Sequence, residues 1–139
     1  YPGLRFQHLL PILESIRKDG RLENVIISAG MNERTNSVNR VKQILDDILN
    51  SFNTLPGVNF FWQGIAVPDT IPKSHQDNLH DINNYIQSKL QERFIQPIPT
   101  EQIQIDPSDE IYRIHYNQET VDLNLENAIA HVGRFQKNL

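Results

Sequence analysis

The chain has 139 residues and a formal net charge of -4, from 13 Lys and Arg against 17 Asp and Glu. That is the length of one domain able to bury a core of its own, and the acidic balance argues against a nucleic-acid module working by bulk charge. No apolar run approaches the ~20 residues that span a bilayer, and the absence of cysteine excludes disulfides, thiol nucleophiles and Cys-ligated zinc.

The chain opens on a turn-like Tyr1-Pro2-Gly3. Phe6, Leu9, Leu10, Leu13 and Ile16 then recur at helical spacing, with Gly20 as a stop. Val25 to Gly30 is a short β-branched run without alternation, which predicts a strand buried on both faces, as in a parallel sheet. Asn36 or Ser37 is placed to cap a second helix, whose stripe runs Val38, Val41, Ile44, Leu45, Ile48, Leu49 and Phe52 until Leu55-Pro56-Gly57 ends it. Val58 to Val67 reads as a second strand with a bend near Gly64, followed by a loop through Pro68, Asp69 and Pro72. A third helix carries Leu79, Ile82, Ile86, Leu90 and Phe94. Beyond Pro97 and Pro99, Ile103-Gln104-Ile105 alternates as a short third strand, and a last helix runs from about Gln118 to Phe135. Helices alternating with strands imply an α/β fold: a parallel sheet, right-handed crossovers and helices on both faces. There is no internal repeat, low-complexity segment or linker, so residues 1–139 read as one domain.

In an open parallel sheet, ligands bind beyond the carboxyl ends of the strands, at a topological switch point. After the first strand, Gly30 permits a sharp turn and Asn32 presents an amide that can donate to an oxyanion. On spacing alone, a turn-capping role for Asn32 is favoured. After the last strand, His115 precedes a helix and can serve as a general base; taken alone, it reads better as a structural histidine. Backbone N–H groups near Gly3 can hold an anion. Asp77-Asn78-Leu79-His80 matches a base motif literally but falls at the start of the third helix, where Asp77 reads as a cap and His80 as solvated. His75 and His80 stand five apart and make no metal site. Arg5, Arg17, Lys18 and Arg21 tint the first helix basic, a solvated face. His8 reads as a boundary residue, His131 as a histidine near a helix C-terminus, and Phe61 and Trp62 as core. No phosphate-binding glycine loop occurs, and no cofactor or metal is expected.

Together, three segments resemble blocks of the SGNH (GDSL-like) hydrolase superfamily. Pro2-Gly3-Leu4-Arg5-Phe6 is similar to its glycine block, Ser28-Ala29-Gly30-Met31-Asn32-Glu33 to its Gly-x-Asn-Asp block, and Ile114-His115-Tyr116-Asn117-Gln118-Glu119-Thr120 to its final block. The Tyr-Pro-Gly opening and the Ile-His-aromatic ending resemble the SGNH-like domains of some retroelement polyproteins. The resemblance spans nearly the whole chain. It implies a flavodoxin-like three-layer α/β domain, incomplete at its N-terminus, with N-terminal strands missing or supplied elsewhere. It implies acyl transfer to a serine in an upstream Gly-Asp-Ser block, with His115 as base and Gly3 and Asn32 as the oxyanion hole. Two departures matter. The serine block is absent, and none of the chain's own serines stands in its place. Tyr112 occupies the position of the family's aspartate, a role then open to Asp109, Glu110 or Asp106, unless the site runs on a Ser–His pair or is inactive.

Two functions follow as expectations. One is an ester hydrolase domain acting on a small ester substrate, inactive as this isolated chain. The other is a non-catalytic SGNH-like module for assembly, whose exposed sheet edge at Val25–Gly30 takes a second copy or another chain. Loop 68–74 is the expected rim of the pocket. No signal peptide opens the chain, so an intracellular setting is expected.

Overall fold

The computed structural model describes residues 4–19, 24–54, 57–106 and 114–137. Three parallel strands, β1 (Asn24–Ile27), β2 (Asn59–Gln63) and β3 (Phe94–Ile95), lie side by side in chain order. Val25 aligns with Phe60 and Ile27 with Trp62 across the first ladder; Trp62 aligns with Phe94 across the second. Among the described residues, four α-helices flank the sheet: α1 (Leu9–Asp19), α2 (Val38–Ser51), α3 (Lys73–Leu90) and α4 (Gln118–Lys137).

β2 is the strand buried on both faces. Phe60, Phe61 and Trp62 are each 0% exposed, and their hydrophobic transfer contributes about 1.5–3 kcal/mol per side chain before entropy is charged. Side chains alternate across a strand. Phe60 and Trp62 therefore meet α1, α2 and α3 through Leu13, Leu45, Ile48, Leu79 and Ile82, whereas Phe61 faces Ala128, Val132 and Phe135 of α4. Helices α2 and α3 are the crossovers of two successive parallel connections, and both lie on one face, as a sequential strand order of constant handedness requires. The predicted α/β class, with a parallel sheet and helices on both faces, is what the chain forms.

Several boundaries differ from expectation. β1 is half-buried rather than buried on both sides, because only β2 pairs with it among the described residues. The third strand is Phe94–Ile95, not 103–105. Helix α3 stops at Leu90, where Gln91 takes a left-handed φ of 52°, and the turned chain delivers Phe94 to the sheet instead of a helical stripe. Ile105 makes one antiparallel bridge to Tyr116. Ser37 stands at the start of α2, but its side chain makes no capping bond. Asp77 does not cap α3: it pairs with Lys73 at 2.9 Å, one turn earlier. Gly20, Leu55 and Pro56 lie outside the described residues.

Candidate functional site

Where β1 and β2 end, the chain opens a cleft of about 180 Å³. One wall is Ser28 to Asn32 after β1, the other Gln63 to Ala66 after β2, with Leu4, Tyr116 and Asn124 closing it. Strands run out here because Gly30 adopts a φ of 134°, a backbone state that other residues avoid, and a Cβ there would collide with Ile65. Gly64 lets the opposite wall approach β3: a Cβ would lie 2.7 Å from Phe94 Cζ and 2.9 Å from the Ile95 carbonyl. The described strands run in the order β1-β2-β3 without reversal, so the cleft lies at carboxyl ends but not at a switch point within them.

Side chains pin both walls. Asn83 of α3, 7% exposed, accepts from Ile65 N–H at 2.8 Å and donates to Ile65 C=O at 2.9 Å, continuing the ladder where β2 ends. Buried Glu33 accepts from Phe6 N–H at 3.0 Å and from Asn36 Nδ2 at 2.9 Å, tying the opening segment to the turn after β1. Beside it, Arg34 donates to the Met31 carbonyl at 3.2 Å; burial, and then Arg5, lower its pKa. Tyr116 Oη donates to the Ala66 carbonyl, and burial pushes its phenol well above the ordinary range, so it stays neutral.

Asn32 lines the cleft, and its Nδ2 donates to the Leu4 carbonyl at 2.9 Å. An amide nitrogen carries two hydrogens, so this bond positions the group and uses one of them. The block at Asn32 and the segment that begins beside Gly3 therefore meet; Gly3 itself lies outside the described residues. His115 is exposed, and its neighbour Tyr116 is what reaches the cleft. The His115 carbonyl accepts from Asp106 N–H at 2.8 Å, which sets Asp106 opposite it across the bridge. Tyr112, Asp109 and Glu110 lie outside the described residues. Loop 68–74, the expected rim, does not line the cleft; residues 63–66 do. His80 is exposed on α3. His8 accepts from Arg5 N–H at 3.0 Å, and His131 bonds the Glu92 carbonyl at 2.7 Å, its ring edge-on to Phe61.

Sequence reasoning missed Gln63, Asn124, Glu33 and Asn83. A signal existed for two of them. Gln63 breaks an otherwise apolar strand end, and Asn124 stands midway between Thr120 and Ala128 on the inward side of α4, one turn from each. Among the described residues, no three His, Asp or Glu side chains gather as a metal site, and no helix is long and apolar enough to cross a membrane. Against protein-family models, curated proteins and solved structures, the chain finds no match.

Proposed function

We propose that residues 1–139 form the greater part of an SGNH-type ester hydrolase domain, whose nucleophilic serine comes from a strand outside these residues. The observation that supports this is convergence: Asn32, the Leu4 carbonyl beside Gly3, and Tyr116 beside His115 all meet at one strand-end cleft. In the reaction, the serine Oγ attacks the ester carbonyl and His115 takes its proton. The Asn32 amide, with the Gly3 N–H, holds the oxyanion. His115 then protonates the departing alcohol, and water, deprotonated by the same histidine, releases the acid and restores the serine. Asp106, whose backbone N–H bonds the His115 carbonyl, supplies in this reading the orienting carboxylate that Tyr112 cannot.

The test is hydrolysis of p-nitrophenyl acetate by the polypeptide that carries these residues together with a Gly-Asp-Ser strand. Asn32→Ala should lower kcat by about 10²–10³-fold, and His115→Ala should abolish turnover. Full activity in His115→Ala, or cleavage by residues 1–139 alone, overturns the reading.

A second reading, a non-catalytic module for assembly, rests on a different observation. Val121, Leu125 and Ile129 of α4 are 44%, 56% and 59% exposed, one turn apart. Val121 and Leu125 share a groove with Ile26 of β1, whose outer edge has no partner among the described residues. An apolar stripe beside an open strand edge favours pairing with another chain. A molecular mass by light scattering that stays monomeric at all concentrations rules out self-association by this face.

A further inference from the structure

We infer that Gln63 and Asn124 form a recognition site for an uncharged primary carboxamide, a property independent of ester cleavage at the same cleft. Gln63 is 3% exposed, yet neither Oε1 nor Nε2 of its amide has a hydrogen-bond partner, and Oδ1 of Asn124 has none either. Buried amide groups left unpaired oppose folding, and a methionine or leucine would fill the same volume without that cost. A shift of the backbone does not relieve the problem, because β2 is fixed by ladders on both sides. Both residues line the cleft and their unpaired atoms lie buried just behind its surface, where a rotation of the side chain presents them; polar groups kept unpaired beside an open cleft are groups kept for a ligand.

The unpaired atoms define the ligand by complementarity. They comprise one donor nitrogen, Gln63 Nε2, and two acceptor oxygens, Gln63 Oε1 and Asn124 Oδ1. A primary carboxamide has the converse set, one acceptor oxygen and two N–H hydrogens on a single nitrogen. Its carbonyl accepts from Gln63 Nε2 while its syn N–H donates to Oε1, a cyclic pair, and its second N–H serves Asn124. A carboxylate brings acceptors only and meets two oxygens. A tertiary amide brings no donor. Charge adds to the selection: no carboxylate, lysine, arginine or histidine lines the cleft among the described residues, and the Tyr116 hydroxyl is already committed to Ala66. An ion entering this cleft loses water without gaining a counter-charge. The volume of about 180 Å³ admits a small organic group rather than a single water.

The experiment is a titration of isotope-labelled protein with acetamide, followed by NMR at the side-chain NH2 signals of Gln63 and Asn124, with acetate and N,N-dimethylacetamide as controls. Acetamide should give saturable shifts at both side chains and at the Gly30 and Gly64 amides, and both controls should bind at least ten times more weakly. Gln63→Met should lose the response while raising Tm by a few degrees, since an unpaired group has been removed. Equal response to acetamide and dimethylacetamide, no saturable shift at all, or a lower Tm in folded Gln63→Met each overturns the proposal; the last result means that Gln63 is satisfied by ordered water and serves the fold. If Gln63→Met does not fold, the wild-type titration decides by itself. No step requires ester cleavage, so the outcome stands apart from that of the hydrolase test.

Discussion

Glu33 shows what one residue contributes beyond its type. In the sequence it sits where the resembling block carries an acidic residue, and its chemistry there was open. In the structure its two oxygens serve Phe6 N–H and Asn36 Nδ2 inside the protein. Glu33→Ala leaves one buried donor, Phe6 N–H, and one part-buried donor, Asn36 Nδ2, without acceptors, so it should cost about 1–3 kcal/mol, read as a lower urea midpoint with an unchanged m-value. Tyr85 makes a prediction of a different kind. Its hydroxyl donates to Asp46, and that bond, followed by burial, raises its pKa from 10.0 to about 12, despite Lys42 and Lys89 lying 5.6 Å from the ring centre. A phenol whose pKa is higher folded than unfolded adds stability that is complete below pH 10 and is lost as pH climbs through 12. Stability against urea should therefore fall across that interval in wild type, and fall less in Tyr85→Phe. Neither role was legible in the sequence, because each depends on a partner at least 27 positions away, Phe6 for Glu33 and Asp46 for Tyr85.

At the scale of elements, periodicity read best where apolar positions are many. Helix α2 buries Val41, Leu45, Ile48 and Leu49 from the predicted stripe, because a 14-residue helix repeats its pattern enough times to be distinctive. β3 is two residues long, too short for any period to show, and Phe94, four residues after Leu90, continues the helical spacing of the third helix instead. Glycine separates the two regimes. Gly30 has a φ of 134° and no room for a Cβ beside Ile65, whereas Gly133 lies within α4 with open space around it. Gly30→Ala should destabilise by about 1–3 kcal/mol and close the cleft mouth. Gly133→Ala should stabilise by about 0.5–1 kcal/mol, as expected in a helix interior. Paired urea curves of the two variants check both signs.

For the molecule as a whole, the uneven cover of the sheet is the governing fact. Among the described residues, three α-helices pack on one face and α4 alone on the other, leaving Ile26 half-buried and the stripe of Val121, Leu125 and Ile129 exposed. Leu125→Glu should leave the urea midpoint within about 0.5 kcal/mol, as for an ordinary surface change, while removing any concentration-dependent rise in light-scattering mass. The sequence by itself determined the α/β class, the parallel sheet, the positions of β1 and β2 and the four α-helices among the described residues. Those features rest on local period and turn chemistry, which neighbouring residues carry among themselves. Only the tertiary structure decided that Phe94 and Ile95 form the third strand, that Asn32 is held by Leu4, that His115 is exposed while Tyr116 reaches the cleft, and that Gln63 is buried without a partner. Each of these depends on which distant groups a side chain meets, and packing across the sheet, not the spacing of residues along the chain, sets those meetings.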